Sequence, residues 1–220
     1  MDTTSLILTT VAISVSGALS PGPLTVSAVA IGARKFAKGG FLVAIGHTVF
    51  EFPYIIAVAL LAFSTSSFLK SPTVSYALTA AIFCFISFFS YVNIKDGISV
   101  LKDGEIQMKG ERMLGLNPII VGFLLTCLNP YFLLWWLSIG LPLLRLSLSM
   151  GALYLLLMYV AHVWLDYVWL TLMGVAGERS AKLLKSKGYG LLLITLGLLL
   201  AVFAIDLSLK AFLNISFLPF

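Results

Sequence analysis

The sequence predicts an all-α membrane protein: six transmembrane helices as two inverted three-helix repeats, with helices one and four broken. Three observations lead there: the composition, six long apolar runs, and matching features in corresponding runs of the two halves. The 220 residues are 60% hydrophobic and only 10% charged, with a mean hydropathy of +1.06. A soluble domain covers its surface with about a quarter charged residues. Nine acids and fourteen bases cannot clothe a water-facing body of this size, so lipid must solvate it. Disorder, a secreted disulfide scaffold and a nucleic-acid module are excluded, and membrane lipid is the first partner.

A hydrocarbon core about 30 Å thick needs roughly 20 apolar residues per helix. Six segments meet that length, near residues 5–33, 40–64, 73–94, 114–141, 150–175 and 188–208. Continuous runs of this kind mean helices, because a membrane barrel would show short alternating strands. Gly39-Gly40, Ser71-Pro72, Ser147-Leu148-Ser149 and Lys187-Gly188 punctuate them. The chain divides into a first three-helix repeat over 1–94, a polar cytoplasmic loop over 95–113, and a second repeat over 114–220.

The bases set the orientation. Eleven of them follow helices one, three and five: Arg34, Lys35, Lys38, Lys95, Lys102, Lys109, Arg112, Arg179, Lys182, Lys185 and Lys187. Three lie on the opposite side: Lys70, Arg145 and Lys210. Positive-inside asymmetry puts the eleven in the cytoplasm and both termini outside. The basic balance therefore calls for no acidic partner. The start Met1-Asp2-Thr3-Thr4-Ser5 lacks the basic opening of a signal peptide, so the first apolar run is expected to stay in the mature chain. A multi-pass protein of a prokaryotic cell membrane is the expected setting.

An odd number of spans per half turns the second half upside down relative to the first. Helix one breaks at Ser20-Pro21-Gly22-Pro23 and helix four at Asn129-Pro130, each about sixteen residues after its start. Two prolines around a glycine interrupt a helix more firmly than one kink. Ser20 is expected to cap the half-helix that follows, with Pro23 in its first turn, and Asn129-Pro130 repeats that logic. Free amides and the dipole at such N-termini attract anions. Paired breaks in corresponding spans are the sequence mark of an inverted-repeat transporter. The bland alternative is two kinks that only shape the bundle.

Helix two carries His47-Thr48-Val49-Phe50-Glu51 and helix five carries His162-Val163-Trp164-Leu165-Asp166. Both histidines of the chain thus sit four residues before an acid, on one helix face. Glu51 and Asp166 are at least nine residues from either end of their segments, too deep to reach water. A charge at mid-bilayer costs about 3 kcal/mol on insertion scales, so these faces must turn inward. Three uses compete: interhelical polar glue, a substrate and proton site, or a divalent metal bound by His47, Glu51, His162 and Asp166.

Trp169 reads as an interfacial anchor, and Trp135, Trp136 and Trp164 as packing residues. Gly17, Gly32, Gly46, Gly174 and Gly197 are expected to let helices approach closely. Cys84 and Cys127 read as small buried hydrophobes, since neither metal spacing nor a repeat-equivalent redox pair is present. There is no phosphate loop, no G-x-S-x-G and no H-E-x-x-H. Neither an enzyme nor an ATP-driven pump is indicated, and no cofactor is expected.

Two stretches carry a family resemblance: SPGPLTVSAVAIGARKFAKGGFLVAIGH, and FLLTCLNPYFLLWW. A P-G-P in the first span, a basic glycine-rich connection and an N-P in the fourth span are similar to the lysine exporter (LysE/RhtB) superfamily. Length and six-span layout agree across essentially the whole chain. The resemblance implies export of amino acids or related small solutes, powered by an ion gradient. It carries over Pro21, Gly22, Pro23, Asn129 and Pro130; the histidine–acid pairs are richer in histidine than the expected pattern. The reading is then a secondary transporter working by proton antiport, with divalent metal export as the alternative. Ser20, Pro21, Gly22, Pro23, Asn129, Pro130, Glu51 and Asp166 are the substrate-binding candidates. Glu51, Asp166, His47 and His162 are the proton-coupling candidates. A bound amino acid would offer its carboxylate to a broken-helix N-terminus and its ammonium to Glu51 or Asp166. A homo-oligomer is compatible with this reading, and no nucleic acid takes part.

Overall fold

The computed structural model of the chain describes residues 2–19, 22–34, 38–69, 71–103, 117–184 and 186–216. Ser20, Pro21 and the greater part of the polar connection lie outside the described residues. The described residues are helical: α1 (Thr3–Ala18), α2 (Pro23–Ala33), α3 (Gly39–Leu69), α4 (Pro72–Asp103), α5 (Pro118–Cys127), α6 (Pro130–Ser138), α7 (Leu141–Met150), α8 (Ala152–Leu183) and α9 (Ser186–Leu213). α3, α4, α8 and α9 hold stretches long and apolar enough to cross a membrane. α5 and α6 make a fifth candidate span if taken as one, bent by 54° at their junction. α1 and α2 are shorter apolar helices.

Local sequence explains the ends. Asp2 caps α1 by accepting the Ser5 amide at 2.8 Å, a bond that holds its carboxyl below the ordinary aspartate range. Gly22, in extended conformation, is the N-cap of α2 and is followed by Pro23, whose missing N–H costs nothing in a first turn. The cap expected from Ser20 falls on a residue outside the described ones. Asn117 caps α5 through the Ile119 amide at 3.0 Å, with Pro118 behind it. Gly151, at φ 121°, turns the chain from α7 into α8, a backbone shape that disfavours any side chain.

Three differences from expectation bear on the packing. The helix placed over 73–94 runs on to Asp103, so Lys95, Asp96, Lys102 and Asp103 are helical rather than loop. Its inward face continues past residue 94 through Asp96 and Val100, both buried, which gives the extra turns a packing partner. α7 is an added helix where a span end and a connection were expected; Leu143, Leu144 and Ser147 bury its inner face. α8 also continues to Leu183, with Gly177 and Ala181 buried.

The most extensive shared face is between α4 and α9; α1 and α2 lie on α8, α5 and α6 lie on α3, and α3 meets α8. Apolar side chains gain little from association inside lipid, so close backbone packing must hold such a bundle. Glycines supply it reciprocally. Gly32 of α2 faces the Gly174 carbonyl of α8, while Gly177 of α8 faces the Val29 carbonyl of α2. Gly46 of α3 faces Ile119 of α5, and Gly122 of α5 faces Val43 of α3. A methyl at any of these positions would overlap a backbone oxygen. Cys84, by contrast, lies exposed on the outside of α4, so it is not the buried hydrophobe expected.

A buried ion pair fastens one end. Arg34, the C-cap of α2, bonds Asp96 of α4 through Nη1 and donates to Asn93 Oδ1 from Nη2 at 3.0 Å. Asn93 in turn donates to the Phe89 carbonyl at 2.7 Å. The pair sits beside a small cluster of Ala33, Val100, Ala181, Tyr189 and Leu193.

Two stability outcomes follow. Gly32→Ala should destabilise the detergent-purified protein by about 1–3 kcal/mol through overpacking, seen as a lower unfolding temperature; an unchanged midpoint would contradict the backbone contact. Arg34→Met should cost about 3–5 kcal/mol by stranding Asp96, and adding Asp96→Leu should restore much of it. A double variant no more stable than the single would show the pair is not what holds α2 to α4.

Candidate functional site

α3 and α8 each bring a histidine and an acid to the same inward face, one turn apart. The structure joins the two faces. His47 Nε2 lies 3.2 Å from Glu51 Oε2 on its own helix and 3.9 Å from Asp166 Oδ2 across the interface. His162 Nε2 lies 3.5 Å from Asp166 Oδ2 on its own helix and 3.2 Å from Glu51 Oε1 across it. All four residues are buried, Glu51 completely. Each acid therefore faces both imidazoles in an apolar interior, where an uncompensated charge is costly.

The surroundings orient the set. His47 Nδ1 is 2.9 Å from Thr126 Oγ1 of α5, and His162 Nδ1 is 2.7 Å from Ser14 Oγ of α1. With each Nδ1 bonded to a hydroxyl, each Nε2 points to the carboxylates. Trp136 Nε1 donates to Glu51 Oε1 at 3.0 Å, and the Tyr159 hydroxyl donates to Glu51 Oε2 at 3.3 Å. The Trp136 ring stands edge-on to His162 at 4.8 Å, and Phe132 edge-on to His47 at 5.2 Å. Among the described residues, His47 Nε2 and Asp166 Oδ2 are buried without a hydrogen-bond partner.

The break candidates are arranged around the same two helices. Pro23 opens α2 behind Gly22, and Pro130 opens α6. Asn129 Oδ1 accepts the Phe132 amide at 3.4 Å, the cap expected of it. Seven residues beyond each histidine, a second side chain reaches the half-helix after a break. The Tyr54 hydroxyl donates to the Leu133 carbonyl of α6 at 2.7 Å, and Trp169 Nε1 donates to Thr25 Oγ1 of α2 at 3.1 Å. α3 thus bonds both pieces of the second broken segment, and α8 both pieces of the first. Trp135 of α6 lies against Gly17 of α1, where a Cβ would stand 3.3 Å from its ring, and 5.9 Å from the His162 ring.

Each histidine meets the acid four residues on, as the spacing predicts. Trp135 and Trp136 pack in the core as expected; Trp136 also donates to Glu51, Trp135 lies beside His162, and Trp169 donates to Thr25. Trp164 alone points outward, 44% exposed, as its offset from the His162 face required. Ser14, Thr126 and Tyr159 had no signal in the chain, since a lone hydroxyl in an apolar run names no partner. Ser27 of α2, one turn past the break, is another such residue, with a buried hydroxyl that has no hydrogen-bond partner among the described residues.

Neither the curated proteins nor the solved structures contain a match to the chain. The model of one family, described as LysE type translocator, matches residues 15–211. That stretch runs from α1 to α9 and takes in His47, Glu51, His162 and Asp166, so the chain belongs to the LysE type translocator family of membrane transporters.

Proposed function

We propose that this transporter exports amino acids or related small solutes by exchange for protons, and that His47, Glu51, His162 and Asp166 are its coupling site. The observation that carries the reading is the convergence of two imidazoles and two carboxylates from α3 and α8 at one buried point. The set is neutral when both imidazoles are protonated. Removing those protons leaves two carboxylates facing each other in a medium where Coulomb forces are strong. An incoming ammonium group can then take the place of one of the lost protons. Protons and an amino acid's ammonium thus compete for the same carboxylates, which is the condition for exchange rather than co-transport.

The other end of an amino acid is a carboxylate. The N-termini of α2 and α6, opened by Pro23 and Pro130, offer amides and a favourable dipole for it. In this reading α1 with α2, and α5 with α6, are two broken spans, which completes six spans in two inverted halves. The reciprocal bonds support that arrangement: α3 to the second broken span, α8 to the first. Alternating access then opens the shared site to each side in turn.

Glu51→Gln and Asp166→Asn should leave a folded protein that no longer performs proton-driven efflux from proteoliposomes, while solute counterflow persists. Full gradient-driven efflux in both variants would reduce the set to structural glue. Orientation has its own test: cysteine labels in 95–113 should react only from the cytoplasm and a label at Phe220 only from outside. A cytoplasmic Phe220 would overturn that orientation.

A further inference from the structure

Three of the same side chains, His47, Glu51 and Asp166, have the donor types and separations of a transition-metal site, and His162 adjoins them. His47 Nε2, a Glu51 oxygen and an Asp166 oxygen lie within 4.8 Å of one another. His162 Nε2 stands 3.2 Å from Glu51 and 3.5 Å from Asp166. Ligands about 2.0–2.2 Å from a tetrahedral ion are separated by roughly 3.3–3.6 Å from each other. The four histidine–acid separations, 3.2 to 3.9 Å, fall around that value, with His47 beside Glu51 Oε2 and His162 beside Glu51 Oε1.

Two further observations point to a ligand. His47 Nε2 and Asp166 Oδ2 face the centre, buried and, among the described residues, without a hydrogen-bond partner. Both Nδ1 atoms are held by hydroxyls, Thr126 and Ser14, which is how proteins fix an imidazole so that Nε2 meets a metal. The charges close as well: two carboxylates cancel a divalent ion, so the filled set is neutral inside the bundle. Imidazole donors favour zinc-like ions over calcium or magnesium, which prefer oxygen alone. Cys127 adds no thiolate here; its Sγ is directed at the Leu124 carbonyl at 3.7 Å.

We propose that His47, Glu51, His162 and Asp166 bind one divalent transition-metal ion of the zinc type in the middle of the transporter. It rests on the convergence that also underlies the export reading, and it is the first step that divalent metal export would require. A metal in this position would exclude an ammonium group from the carboxylates, so the ion either travels through the site or arrests solute export.

Cobalt(II), whose visible spectrum reports coordination, is the probe. Added to the detergent-purified full chain, it should bind one ion per chain and give the intense bands of a four-coordinate site. Zinc should displace it. His47→Asn should weaken binding at least a hundredfold, and Ser14→Ala or Thr126→Ala about ten- to a hundredfold through loss of ring orientation. The wild-type spectrum settles the matter even where a ligand variant fails to fold. Only the pale spectrum of hydrated cobalt at stoichiometric protein, or equal affinity in folded His47→Asn, would overturn the proposal. Metal binding with proton-driven efflux intact in Glu51→Gln would defeat the coupling scheme and leave the metal site standing. Lost efflux in that variant without any metal site in the wild type would do the reverse.

Discussion

Burial of two carboxylates at the centre of an apolar bundle is the constraint that organises this molecule. An isolated charge in such surroundings is too costly to keep. Glu51 is fully buried and Asp166 nearly so, and each is met by both histidines of the chain. Because the offsetting imidazoles come from two helices, charge balance can be reached only if α3 and α8 pack face to face. The glycines that let α2 close on α8, and α5 close on α3, serve the same end by bringing the broken segments within reach of the paired faces. Electrostatics thus sets the register, and small residues make that register sterically attainable.

The outer parts of the bundle behave differently. α4 and α9 form a tight pair joined by Ser90 to the Gly197 carbonyl at 2.7 Å and by close approach at Gly97 and Gly190. Among the described bonds, Arg34 ties this pair to the inner helices through both Asp96 and Asn93. At the opposite end the inner helices are held by apolar packing of Leu6, Ile55, Trp136, Leu144 and Met158. An ion pair at one end and an oily contact at the other give the two ends different responses to water: the first weakens when solvated, the second resists wetting.

How much of this was legible in the chain follows from the kind of signal each feature leaves. Hydropathy and the proline breaks located the helical segments, because a membrane leaves the backbone few alternatives. The i, i+4 spacing placed His47 with Glu51 and His162 with Asp166, since that is local geometry. Their meeting across the interface is tertiary and was open among three uses. Trp136 and Tyr159 were invisible as partners of Glu51 because an aromatic in an apolar run reads as packing until its polar edge is given a neighbour. The continuation of α4 to Asp103 was hidden by its charges; Lys95 and Lys102 look outward, while Asp96 turns in to Arg34. Charge alone marked that turn as a loop, although the helical period of Val92, Asp96 and Val100 carried the opposite message.

Each clamp helix holds its broken neighbour at two points seven residues apart, His47 with Tyr54 and His162 with Trp169. Seven residues are about two helical turns, roughly 10 Å along the axis and nearly the same angular position. The two bonds therefore work as the fixed teeth of one key. Lengthening the helix by a single residue between the teeth would swing the second by about 100° and advance it by about 1.5 Å, facing it away from its mate. Insertions and deletions in 47–54 and 162–169 are thus barred by phase, whereas side-chain exchanges on the outward faces of those same turns, at Val49, Trp164 or Val168, remain open to drift.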